Sequence, residues 1–226
     1  MCGRFVQNFT LETIKKLFNI SDTPSDISSN FNVAPTHEIL AILKHDNENK
    51  LERLYWGLVP FWAKDISIGS RMINARAETV SKKASFRNAI KKRRCLIPAD
   101  GFYEWKGEKG AKQPYYITIP SNETFAFAGL WEIWTDKETE DESIYKSCTI
   151  ITTEASGSIR ELHNRMPVIL DLKYHENWLD AEIQDPKELE GILKDGVIRD
   201  MKYYPVSKLV NSVKNNDPNC IKPMEL

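Results

Sequence analysis

The sequence predicts an α+β fold: a mainly antiparallel β-sheet core, barrel-like, flanked by several short helices. Short apolar runs rich in aromatic and β-branched residues outnumber the amphipathic helical segments. These runs do not alternate regularly with helices, as a doubly wound parallel sheet requires. No internal repeat, low-complexity tract or linker breaks the 226 residues, of which 41% are hydrophobic and 28% charged. A single domain spanning 1–226 with a sizeable core is expected.

Thr10 to Phe18 reads as a short amphipathic helix with Leu11, Ile14, Leu17 and Phe18 on one face. Ser21 to Asn30 is polar and holds Pro24, so it is loop. Ile39 to Leu43, Leu51 to Trp56, Tyr115 to Ile119, Phe125 to Leu130, Ser147 to Thr153 and Pro167 to Leu170 have the length and composition of strands. Ser85 to Lys92 reads as helix, with Phe86 and Ile90 four positions apart. Lys173 to Ala181 and Pro186 to Leu193 give two more. Thr135 to Glu142 is acidic and reads as a solvated hairpin loop or insertion.

Net charge is -1 and the isoelectric point about 6.5. A generic polyanion binder is usually strongly basic, so any nucleic acid must meet a local patch. No apolar run approaches the roughly 20 residues of a membrane span. No basic segment followed by an apolar stretch opens the chain, so a cytoplasmic protein without a signal peptide is expected. Cys2, Cys95, Cys148 and Cys220 are far apart and form no CxxC pair, which argues against a disulfide framework or a metal site. The last three read as buried small hydrophobes. Nothing suggests a cofactor, and a monomer is expected.

Cys2 carries the most distinctive chemistry. Aminopeptidases remove Met1 before a small side chain, leaving an N-terminal cysteine whose α-amine and thiol form a 1,2-aminothiol. Such a pair can act as an N-terminal nucleophile with its own amine as base. It can also trap an aldehyde, first as an imine and then as a thiazolidine. An α-amine titrates at roughly 7.7–8.0 and a thiol at about 8.5, so both reactive forms exist near neutral pH. The plainer alternative is an early residue that packs.

Other candidates carry their own alternatives. Ser81 to Arg94 contains Lys82, Lys83, Arg87, Lys91, Lys92, Arg93 and Arg94 and no acid. That segment could hold phosphates, or be a solvated helix face. Within Tyr55 to Trp62 most aromatics belong in a core, and Trp62, after Pro60, is the candidate for exposure and base stacking. Glu104 lies among Phe102, Tyr103 and Trp105, where desolvation suits a carboxylate to proton transfer, unless it faces solvent on an edge strand. His163, between Arg160 and Arg165, precedes a strand and is either an acid/base or a hydrogen-bonded structural histidine. His37, His45 and His175 share no metal-ligand spacing.

Taken in order, the segments resemble the SRAP family, the SOS-response-associated peptidase or abasic-site-processing proteins. The match runs through Met1-Cys2-Gly3-Arg4-Phe5, Asn32-Val33-Ala34-Pro35, Trp56 to Trp62 and Ile73 to Thr79. It continues through Arg93 to Trp105, His163 to Pro167, Tyr204 to Ser207 and Val210-Asn211. The resemblance implies recognition of abasic sites in single-stranded DNA and a thiazolidine crosslink through Cys2. It implies that Asn74 positions the N-terminus and the opened sugar. Glu104 moves protons during ring opening and closure, and His163 serves as acid/base at sugar opening and crosslink reversal. Arg4, Arg76 and Arg165 become phosphate ligands, and Pro35 and Trp62 line the DNA channel. The family carries an arginine shortly after Asn-Ala-Arg. Ala84 or Ser85 falls there, with Lys82, Lys83 or Arg87 as substitutes, and Arg87 is assigned to DNA.

Three competing readings are an N-terminal-nucleophile amidohydrolase, an autoproteolytic cysteine peptidase and a non-catalytic single-strand binder. The first needs an oxyanion-hole Asn-Gly, and no such dipeptide exists in the chain. The second must release a residue before Cys2, where only Met1 stands. The third gives Cys2 no purpose.

Overall fold

The computed structural model describes residues 2–108, 110–136 and 143–225. The N-terminal half forms β1 (Phe5–Gln7), α1 (Leu11–Phe18), β2 (Ile20–Asp22), β3 (Asn30–Val33), β4 (Glu38–His45), β5 (Glu48–Trp56) and β6 (Asn74–Arg76). There follow α2 (Ala89–Lys92), β7 (Arg94–Ala99), β8 (Gly101–Lys106), β9 (Gln113–Thr118), β10 (Phe125–Thr135) and β11 (Ile144–Glu154). The chain closes with β12 (Arg165–Pro167), β13 (Ile169–Leu170), α3 (His175–Leu179), α4 (Pro186–Asp195) and β14 (Lys202–Pro205).

Five strands close on themselves. β11 pairs β10, β10 pairs β7, β7 meets β4 and β4 pairs β5, all antiparallel. A parallel seam, Ser147 beside Tyr55 and Cys148 beside Trp56, joins β5 back to β11. This is the barrel-like, mainly antiparallel core expected. Strand alternation gives it two faces. One face puts Ile39, Ala41, Leu54, Trp56, Cys95, Ile97, Phe127, Cys148 and Ile150 in one cluster. The other puts Leu40, Ile42, Leu51, Leu96, Ala128 and Ile151 against residues of all four helices, including Ile14, Ile90, Trp178 and Leu189. The helix-free set is therefore the interior. It is tightly filled: a Cβ on Gly129 would lie 2.8 Å from Cys95 Sγ and 2.9 Å from Ile97 Cδ1.

A second sheet, ordered β14-β9-β8-β1-β3, carries the N-terminus. Gln7 stitches it to the barrel. Its amide accepts from the Leu40 N–H at 3.1 Å and donates to the Leu40 and Pro98 carbonyls, both at 2.9 Å. Pro98 has no N–H, and this buried amide supplies polar contacts where β4 and β7 run short of ladder bonds.

Each helix and strand expected from the sequence has a counterpart with shifted ends, but β1, β3, β6, β7, β8 and β14 are strands not expected from it. Thr10 caps α1 through its hydroxyl, which accepts from the Thr13 N–H at 3.1 Å. The segment Ser85 to Lys92 is a correction: only Ala89–Lys92 is helical, and the residues before it form turns bonded to Lys83. Phe86 and Ile90 are buried as their spacing requires. So short a segment makes too few hydrogen bonds to sustain a helix along its full length. Lys173 to Ala181 likewise divides into a 3-10 turn and the five-residue α3. β2 begins at Ile20 and extends into the region read as loop, pairing parallel to β5. The acidic stretch 135–142 lies outside the described residues from 137 onward. Among the described residues no helix is long and apolar enough to cross a membrane.

His175 shows how closely α1 and α3 are joined. It is buried, stacks on Phe18 at 5.4 Å and donates from Nε2 to the Leu170 carbonyl at 3.0 Å. Burial lowers its pKa more than that bond raises it. The unfolded chain therefore takes up a proton that the folded one refuses. Stability is full above the unfolded value of about 6.5 and falls as pH drops through it toward the folded value. Thermal melts between pH 7.5 and 5.5 should show this loss, at most about 1.4 kcal/mol per pH unit for one proton. His175→Phe should flatten the slope.

Candidate active site

The N-terminus enters the interior. Cys2 and Phe5 are wholly buried, and Phe5 meets Trp56 and Phe127 edge-on at 5.1 and 5.7 Å. Phe5 also pairs Val33 on one side and Phe102 on the other, so β1 is a central strand. With Phe5 pinned, the position of Cys2 is fixed to within the freedom of two residues.

Asn74 reaches Cys2 from the opposite wall. Its Nδ2 donates to the Cys2 carbonyl at 2.8 Å, while its Oδ1 is buried with no hydrogen-bond partner among the described residues. β6 presents this side chain because it runs parallel to β11, with Asn74 beside Ile150. Trp56 Nε1 donates to the Ile73 carbonyl at 2.9 Å and fixes the strand's entry. Gly57 then turns the chain at φ +139°, where a Cβ would lie 2.5 Å from the Gly69 carbonyl oxygen. That contact explains the Trp-Gly pair: no larger residue allows the turn that leads from β5 to β6.

Glu104 comes from β8, which lies between β1 and β9 and is not an edge. It is 4% exposed. Burial, and next the charge of Glu104, push the Cys2 thiol far above its ordinary value. The sulfur is thus held as a neutral thiol near the Glu104 side chain.

Two grooves converge on His163. One, of about 590 Å³, is lined by Arg4, Glu104, Trp105, Lys112, Lys208 and Asn211 as well as His163. The other, of about 690 Å³, adds Arg76, Glu154, Arg160, Asn164 and Arg165. The Arg165 backbone N–H donates to His163 Nδ1 at 2.9 Å, so in the neutral ring the proton sits on Nε2. A 3-10 turn, Gly157–Glu161, positions the histidine through its N–H to the Ile159 carbonyl at 3.0 Å.

The cationic residues differ in what they already hold. Arg4 Nη1 donates to Asn32 Oδ1 at 2.6 Å and to the Val210 carbonyl at 2.8 Å, and its guanidinium lies 5.9 Å from the Trp105 ring. Burial lowers its pKa. Arg165 is paired with Glu78 at 2.8 Å. Arg76 is exposed. Trp62 and Phe61 are 49% and 51% exposed, and Pro35 is half-buried; none of the three lines either groove. Arg87 is exposed before α2 and also lines neither groove. Much of the basic segment is structural. Arg94 is buried and donates to the carbonyls of Ile90, Lys91, Trp178 and Asp180, and burial pulls it down to about 10. Arg93 pairs with Glu132 at 2.8 Å.

Lys112, Lys208 and Asn211 reach the groove without any role assigned from sequence. Asn211 had a local signal, since it falls within a matching motif, and its Oδ1 accepts from Trp105 Nε1 at 2.7 Å. The two lysines had none.

A model of the SOS response associated peptidase (SRAP) family matches residues 1–213. Abasic site processing protein YoqW of Bacillus subtilis (strain 168) is 44% identical over 225 residues, covering 98% of this chain and 99% of that protein. Abasic site processing protein YedK of Escherichia coli (strain K12) is 30% identical, covering 99% of this chain and all of that one. Abasic site processing protein HMCES of Gallus gallus is 34% identical, covering 80% of this chain and 59% of its own. A crystal structure of a Bacteroides thetaiotaomicron protein has the same fold, with TM-score 0.78, 25% identity and coverage of 98% and 100%.

The buried thiols make a direct test. Cys95, Cys148 and Cys220 should resist a thiol reagent in the native protein at pH 7.5 and react together on unfolding. Glu104→Gln removes a charge that raises the Cys2 thiol, so Cys2 alkylation, read by mass spectrometry across pH, should begin at lower pH in that variant.

Proposed function

Because the chain belongs to the SOS response associated peptidase (SRAP) family, we propose that it captures abasic sites in single-stranded DNA as a covalent thiazolidine on Cys2. The observation that carries this reading is that Cys2 meets both Asn74 and Glu104, and that Glu104 shares a groove with His163. Asn74 holds the Cys2 carbonyl, and Glu104 is near enough to raise the Cys2 thiol. The relatives' names as abasic site processing proteins support the substrate.

The chemistry divides among these groups. Removal of Met1 frees the Cys2 α-amine; with Met1 attached that nitrogen is an amide and cannot attack. An abasic sugar is mostly a closed hemiacetal. His163 and Glu104 move the protons that open it to the aldehyde. The amine attacks C1′, and loss of water leaves an imine. The thiol adds across the carbon–nitrogen double bond: sulfur bonds to C1′ and a proton passes to nitrogen. Glu104 suits this step because the sulfur starts as a neutral thiol. Without capture, the imine could eliminate the 3′ phosphate and break the strand. Single strands spare the protein the unpairing cost of a few kcal/mol. Arg4, Arg76 and Arg165 hold the backbone, Pro35 and Trp62 border its path, and the protein works as a monomer without metal or organic cofactor.

Mixing Met-processed protein with single-stranded DNA bearing one abasic site should give a heat-stable conjugate on a denaturing gel. Cys2→Ala, and protein that retains Met1, should give none. A conjugate of equal stability from either would rule out the thiazolidine. Binding without any conjugate would favour a plain binder, and glutamine hydrolysis an amidotransferase.

Roles separate by kinetics. His163→Ala should slow crosslinking or its reversal more than it weakens binding. Arg76→Ala should weaken binding and flatten its salt dependence by about 0.7 in log–log slope, the share of one single-strand phosphate. Equal binding losses in both would count against an acid/base role for His163.

A further inference from the structure

Arg165 is a phosphate ligand under that reading, yet its guanidinium is already occupied. Nη1 and Nη2 donate in parallel to the two carboxylate oxygens of Glu78, at 2.8 and 3.0 Å. Nη2 also donates to the Thr152 carbonyl at 2.7 Å. Nε is buried with no hydrogen-bond partner among the described residues. Exposure is uneven across the pair: 12% for the Arg165 side chain against 44% for that of Glu78. The guanidinium is the floor of the site and the carboxylate covers it.

Glu78 sits there as an anion sits in a binding site. Burial alone would raise its pKa, but hydrogen bonds from Arg165, from its own N–H and from the Glu154 N–H hold it below the usual carboxylate range. A guanidinium fork is a donor set for phosphate as much as for carboxylate. A phosphodiester offers the same charge and a similar pair of terminal oxygens.

We infer that Glu78 is a resident stand-in for a DNA phosphate, which occupies Arg165 in the DNA-free protein and must swing aside before the backbone can bind there. This rests on the nucleic-acid reading of the site. The displaced carboxylate has somewhere to go. Glu78 also lines a neighbouring cavity of about 300 Å³ that holds Lys82, Lys194 and Arg199 together with Glu190. The groove on the other side keeps Arg76 and Arg160 for the incoming strand. Glu78 therefore weakens the protein's grip on any single strand, and a strand held also by capture of its aldehyde overcomes that competition.

Glu78→Gln keeps the shape and removes the charge. Binding is measured with Cys2→Ala in every protein, so that only the non-covalent step is read, on single strands with and without an abasic site. Glu78→Gln should tighten both by about two- to fivefold, the reach of one partly exposed ion pair. The slope of log K against log salt should steepen by up to about 0.7, one further phosphate fully neutralised. Glu78→Ala should move both quantities the same way, and thermal melts check that each variant is folded. In an Arg165→Ala background neither substitution should change binding. Weaker or unaltered binding with an unaltered slope overturns the inference and makes Glu78 a residue that positions Arg165. Failure of the parent protein to bind either strand is a different result: it overturns the nucleic-acid reading, and this inference with it.

Discussion

Burial of the first strand is the constraint on which the site depends. Phe5 is wholly enclosed, packed between Val33 and Phe102 in its sheet and against Trp56 and Phe127 in the barrel. Gln7 locks the same strand by bonding to Leu40 and Pro98. A chain terminus is ordinarily mobile, and mobility would spread Cys2 over many positions. Here the free energy of burying Phe5 holds the terminus, and the Cys2 carbonyl needs only one further bond, from Asn74, to be placed. Reactive groups held by packing of non-reacting neighbours lose little entropy when they react.

The same enclosure sets the electrostatics. A wholly buried Cys2 cannot easily ionise, and Glu104 makes ionisation harder. That environment suits the capture we propose, in which nitrogen attacks first and sulfur second with its proton handed off. A cysteine-protease style of chemistry asks for a cationic partner that stabilises the thiolate, and the neighbour here is a carboxylate.

Cationic residues are divided between scaffold and groove. Arg93 and Arg94 stand within a run of seven basic residues, yet one pairs with Glu132 and the other caps the ends of α2 and α3 through their carbonyls. Guanidinium donors fit carbonyls at helix ends, where unpaired oxygens gather. Arg76, Arg160 and Arg165, from three separate segments, instead line one groove. With a net charge of -1, that local concentration is what an anionic strand would meet.

The fold class was legible in the sequence, because short continuous apolar runs such as Ile39 to Leu43 have the length and composition of strands that bury both faces. The sequence also offered Cys2, Glu104 and His163 as candidates beside plainer structural alternatives, and Asn74 came only with the resemblance to the family. The tertiary structure alone decided closure of the barrel, since the β5–β11 seam joins residues about ninety positions apart through backbone atoms that carry no sequence signal. It decided that the first half of Ser85 to Lys92 is turn, that Arg94 is a staple, and that Glu78 covers Arg165. Such pairings depend on which segments meet in space, and side-chain charge does not reveal its partner until the chain has folded.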